Sequence, residues 1–132
     1  MSLLSELKKL DLPVDQFALF GSAPLAVRGI RESKDLDVLM RKSAFSKLAK
    51  KHPPLADKPH CIRIGDLEFF SHWQPWFGNG DELIDTADVI DGLRYVKLDY
   101  VIQWKQAMGR EKDHKDLKLI EEYLTTHPHD RG

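Results

Sequence analysis

The stretch FALFGSAPLAVRGIRESKDLDVLM, residues 17–40, decides how this chain is read. An apolar run from Phe17 to Phe20 meets Gly21-Ser22. A short helical segment follows, and a second apolar run carries Asp35 and Asp37 one residue apart. Side chains at i and i+2 of a strand share a face, so the two aspartates point one way while Leu36 and Val38 point into a core. Carboxylates held that close repel, and one takes up a proton unless a cation neutralises both. Magnesium suits the place, since it takes hard oxygen ligands from one or two carboxylates and completes its shell with water and phosphate. Gly21-Ser22 offers the other half: glycine admits close backbone approach, and free amides at a helix N-terminus bind phosphate. A phosphate cradle and a carboxylate pair, separated by one helix, outline a metal–triphosphate site.

The neighbouring segments supply the rest of a domain. Leu3, Leu4, Leu7 and Leu10 recur at helical spacing, and Pro13 ends that helix. Ser22 caps the helix after QFALF, Pro24 fits its first turn, and Gly29 stops it. KSAFSKLAKKH reads as a helix stopped by HPPL, and HCIRI and DLEFF as strands flanking Gly65. HWQPWFGNG is an aromatic loop, DELIDTADVI a short helix and then a strand, and LRYVKL a last strand.

From Leu98 the period becomes helical, with Val101, Trp104 and Met108 on one stripe and Leu117, Ile120 and Leu124 on another. Gly109 lies between the two stripes. The terminal THPHDRG is expected to fray. The expected fold is α+β: a small mixed sheet with flanking helices and a C-terminal helical pair. It forms a single domain over residues 1–132, with the core sheet and its motifs at 13–97 and the helices at 98–124.

A third carboxylate is expected from another strand, because two metals held by three carboxylates activate an attacking oxygen and stabilise a leaving pyrophosphate. Glu68, between Leu67 and Phe69, fits that place, and Asp66 is the weaker candidate. Arg28, Arg31 and Lys34 flank the phosphate end and are weak candidates for neutralising it. Trp73, Trp76 and Phe77 either stack on a nucleobase or cover a core edge, the commoner use of such rings.

Composition narrows the function classes. The chain has 132 residues, 42% hydrophobic and 31% charged, with a formal net charge of −1. That balance advertises neither a polyanion nor a membrane as global partner. One cysteine, Cys61, excludes an intrachain disulfide, and the six histidines form no zinc-ligating pattern. MSLLSELKKLDLP lacks the charged and apolar regions of a signal peptide, so a cytoplasmic location is expected.

LFGSAPLAVRGIRESKDLDVLM resembles the signature of the DNA polymerase β-type nucleotidyltransferase superfamily: an apolar residue, Gly-Ser, a short helix, then Asp-apolar-Asp-apolar. GIRESKDLDV is most similar to small stand-alone bacterial and archaeal members, the minimal nucleotidyltransferases and AbiEii-type toxin nucleotidyltransferases. KQAMGREKDHKDL is similar to the C-terminal motif of the AbiEii-like group, a lysine followed seven residues later by Lys-Asp, here Lys105, Lys112 and Asp113, with Asp116 one turn on. The resemblance spans residues 17–70 and 98–124.

The resemblance implies that Gly21 and Ser22 hold the triphosphate of an NTP. It implies that Asp35 and Asp37 bind Mg2+, two ions during catalysis with Mn2+ as an alternative, and that Glu68 completes the set. Lys105 and Lys112 would contact phosphate or acceptor. The implied reaction moves a nucleoside monophosphate to a hydroxyl on an RNA end, a protein side chain or a small molecule. No separate substrate-recognition domain is evident, so the alternative is a non-catalytic nucleotide- or partner-binding module, antitoxin-like or regulatory. Without the resemblance, Lys105, Lys112, Asp113 and Asp116 read as the solvated side of two amphipathic helices.

Overall fold

The computed structural model describes residues 3–131. Its organising strand, β1 (Phe17–Phe20), is buried along its whole length. β2 (Leu36–Met40) returns antiparallel to it, with Phe17 opposite Met40 and Phe20 opposite Asp37. β3 (Cys61–Ile64) and β4 (Leu67–Phe70) form a hairpin about Gly65-Asp66, and β4 lies parallel to β2 with Asp37 beside Glu68. β5 (Asp88–Ile90) and β6 (Leu93–Tyr95) form a second hairpin that joins through β6, parallel to β1. The six strands make one mixed sheet in the order β3-β4-β2-β1-β6-β5.

Alternation along the strands gives the sheet two apolar faces, and helices cover both. Phe17, Leu19, Val38, Met40, Ile62 and Phe69 form one face. Against it pack α1 (Leu3–Lys9), α2 (Ala23–Val27) and α3 (Lys42–Lys51), the last through Phe45 and Leu48. Ala18, Phe20 and Leu39 form the other face, against α4 (Gly80–Asp85), α5 (Leu98–Met108) and α6 (Glu111–Thr126). This is the expected α+β architecture with a C-terminal helical pair. Among the described residues, no helix is long and apolar enough to cross a membrane.

Several local details differ from the sequence reading. Ser22 holds the N-cap position of α2 but makes no cap hydrogen bond; its hydroxyl lies 2.7 Å from that of Ser33. As the sequence indicates, Gly109, at φ +60, separates α5 from α6, which puts Lys105 and Lys112 on different helices. The C-terminal residues expected to fray are ordered as far as Arg131, and Gly132 lies outside the described residues. A short 3-10 turn, Pro128–Arg131, brings Asp130 onto Arg28, whose Nε donates to it at 2.9 Å. The Arg28 side chain is 3% exposed and also donates to Asp88 at 3.0 Å. A guanidinium that deep needs its anions, and one of them is 102 positions away in sequence.

Candidate active site

Asp37 is the centre about which the sequence-predicted residues gather. It lies beside Phe20 on one side and Glu68 on the other, and cross-strand neighbours in register share a face. Gly21 follows Phe20 in a left-handed turn at φ +60, where a side chain is strained. A Cβ placed on Gly21 would stand 2.3 Å from Asp37 Oδ2, so only glycine leaves that carboxylate its room. Gly21 and Asp37 are therefore in direct apposition.

Burial pushes the Asp37 carboxyl up to about 7, and the charges of Asp35 and Glu68 push in the same direction, while Lys112 and Lys105 pull it back. These groups come from three separate sequence motifs, and each acts on the same carboxyl. Asp35 is exposed, just before β2. Asp66 is exposed in the β3–β4 turn, outside the strand that carries Glu68. Arg63 faces Glu68 across the hairpin at 3.2 Å, and Cys61 Sγ approaches the same carboxylate at 3.6 Å. Burial, then Glu68, push that thiol up to about 11.

Among the described residues, no three His, Cys, Asp or Glu side chains already form a metal-holding group. The donor set itself suits a hard divalent ion. Three carboxylates, one of them held near neutrality by burial and then by the other two, are what a cation of that kind would discharge. Asp35, Asp37 and Glu68 could hold it.

The two lysines occupy different settings. Lys112 is exposed on α6. The Lys105 side chain is 4% exposed, with Nζ 2.8 Å from Asp116 and 3.7 Å from Asp113. Asp116 also accepts from Arg31 Nε at 2.7 Å and Nη2 at 3.0 Å, which ties the segment leading to Asp35 onto α6. Asp113 accepts from Arg110 at 2.6 and 3.1 Å. Burial alone would raise both aspartates. Hydrogen bonds from Arg31 and Lys105 hold Asp116, and those from Arg110 hold Asp113, below the usual carboxylate range.

The sequence reading missed the Arg63–Glu68 pair, which the two-residue turn Gly65-Asp66 would have indicated, because it sets 63 opposite 68. It also missed the Arg31–Asp116 contact, for which no local signal exists. Of the loop aromatics, Trp73 is a core residue stacked on Phe20 at 4.4 Å between centroids, while Trp76 is exposed. Among the described residues, the Trp73 and Trp104 indole N–H groups are buried without an acceptor, a placement that costs about 1–3 kcal/mol each.

No protein-family model matches this chain, and no curated protein is similar enough to be recognised as a relative.

Proposed function

We propose that this chain is a magnesium-dependent nucleotidyltransferase of the DNA polymerase β type. It would move a nucleoside monophosphate from an NTP to a hydroxyl acceptor and release pyrophosphate, in the cytoplasm where NTP and magnesium meet. The observation that carries the reading is the environment of Asp37. Asp35, Glu68, Lys105 and Lys112, drawn from three separated stretches, all act on that one carboxyl, and Gly21 leaves it room.

Each residue has a role in this reading. Asp35, Asp37 and Glu68 hold the metal, which when bound supplies charge stabilisation to the reacting phosphates. The Gly21-Ser22 turn receives the leaving phosphates, and its lack of a side chain at Gly21 keeps them close to Asp37. The α2 helix has five residues, so its dipole adds little and the turn itself does the holding. Lys112 offers an exposed cation to phosphate or acceptor. Lys105, locked by Asp113 and Asp116, biases the local potential from within.

A second reading rests on a specific observation. Arg63 already engages Glu68, which favours a module that binds nucleotide or a partner protein without turnover. Pyrophosphate release separates the two. The protein is incubated with each NTP, Mg2+ and pooled RNA, protein or small metabolites, beside the Asp35→Ala/Asp37→Ala variant. Release by the native protein alone supports the transferase. NTP binding without release in any pool supports the module.

A further inference from the structure

The aromatic residues beside the carboxylates form a continuous wall that the roles above leave unused. Phe20, the register neighbour of Asp37, starts it. Trp73 stacks on Phe20 at 4.4 Å, and Trp104 lies 5.5 Å from Phe20 and 5.2 Å from Trp73, edge to face with the latter. Trp76 closes the series edge-on to Trp104 at 6.3 Å. The Trp104 ring also carries two cations, Lys105 Nζ at 5.4 Å and the Arg110 guanidinium carbon at 5.9 Å. The wall thus runs from the metal-binding carboxylate, past the buried lysine, to solvent.

Two features distinguish this wall from ordinary core packing. Trp76 is 40% exposed, and it is the aromatic one among the exposed large apolar side chains, the others being Val14, Val89 and Leu119. Two indole donors within the wall, those of Trp73 and Trp104, have no acceptor among the described residues. Phenylalanine or leucine would fill the same space without that cost, and buried polar groups left unpaired call for an explanation. A partly exposed indole ring at the surface, with unsatisfied N–H donors behind it, is complementary to a planar heterocycle that carries carbonyl or ring-nitrogen acceptors on its edge.

We infer that the Trp76–Trp104 surface is the stacking site for the nucleobase of the NTP. This rests on the nucleotidyltransferase reading, which fixes the triphosphate at Gly21 and Asp37. The base lies against the aromatic wall, Trp76 shifts on its loop to admit it, and the Trp104 N–H gains an acceptor on the base edge. Stacking is tolerant of base identity, so any selectivity among the four NTPs comes from the indole hydrogen bond.

Calorimetric titration of the full chain tests this, with each of the four NTPs and with tripolyphosphate as a base-free control, all in Mg2+. The native protein should bind at least one NTP more tightly than tripolyphosphate. Trp76→Ala should weaken NTP binding roughly 5- to 150-fold, the range seen when a base-stacking aromatic is truncated, and leave tripolyphosphate unchanged. Trp76→Phe should restore most of the loss, and Trp104→Phe, which keeps a ring but removes the donor, should weaken NTP alone.

Native-like NTP affinity in Trp76→Ala overturns the base site while the transferase reading stands. Loss of binding to a single-stranded oligonucleotide but not to NTP also overturns it, moving the wall to the acceptor. Failure of the native protein to bind either NTP or tripolyphosphate overturns the base site and the reading beneath it together.

Discussion

Asp116→Asn isolates the contact that joins the loop before the candidate site to the helical pair. Asp116 is 5% exposed and accepts two hydrogen bonds from Arg31 and one from Lys105. The amide keeps the shape and removes the charge. It leaves buried Lys105 with Asp113, 3.7 Å away, as its anion among the described residues. Removing one partner of a buried pair costs about 3–5 kcal/mol because the other charge stays desolvated. Asp113 offsets part of this, and Arg31 regains water because its side chain is 36% exposed. The expected loss is therefore about 2–3 kcal/mol, below the full range for a stranded charge. Urea denaturation at pH 7 should show the midpoint falling by about 1–2 M with an unchanged slope. A double-mutant cycle with Lys105→Met should return a coupling of about 1–3 kcal/mol. A loss under about 0.5 kcal/mol, the size of an ordinary surface substitution, with additive single variants, would refute the claim that this network is closed and buried.

Other outcomes follow from the same geometry. Gly21→Ala should cost about 1–2 kcal/mol from its left-handed backbone and abolish Mg2+-dependent NTP binding by displacing Asp37, checked by melting and calorimetry. In metal-free buffer, Asp37→Asn should melt higher than the native protein at pH 8. The folded Asp37 pKa, about 7, lies above its ordinary 3.8, so its stability contribution is present below pH 4 and lost as pH rises through 7. The gap, on the order of 2–4 kcal/mol at pH 8, should close in acid. Asp113, Asp116 and Asp130 behave oppositely. Their depressed pKa values give stability that is present above the ordinary carboxylate range and lost as pH falls below about 4, so acid unfolding should begin there. Arg28→Ala should cost about 1–3 kcal/mol by leaving Asp88 with Lys97 and Asp130 with Tyr123 as their remaining partners among the described residues, and it should expose the C-terminal turn to faster amide exchange.

What was legible in the sequence was local. The 17–40 stretch announced a strand, a turn, a short helix and a second strand, because buried strands and Gly-bounded helices leave compositional marks. Glu68 was legible as a carboxylate between apolar neighbours, and the parallel register that sets it beside Asp37 is what gives it a place in the site. Lys105 was not legible as a buried cation, since its partners lie beyond a helix break at Gly109 and their charges read equally well as a solvated face. Arg28 and Asp130 were illegible for a related reason: an ion pair 102 residues apart leaves no periodicity. Trp73 and Trp76, one loop in sequence, divide between core and surface according to which ring meets Phe20.

Transfer of label from α-labelled NTP to an acceptor is the most direct measurement of the central claim. The native protein, Asp37→Asn and a native sample in chelator are each incubated with the acceptor pools and resolved by size. The account predicts label covalently attached to one pool by the native protein with Mg2+, and none in the other two reactions. Label that survives in Asp37→Asn, or no transfer by a native protein that binds NTP, would contradict it.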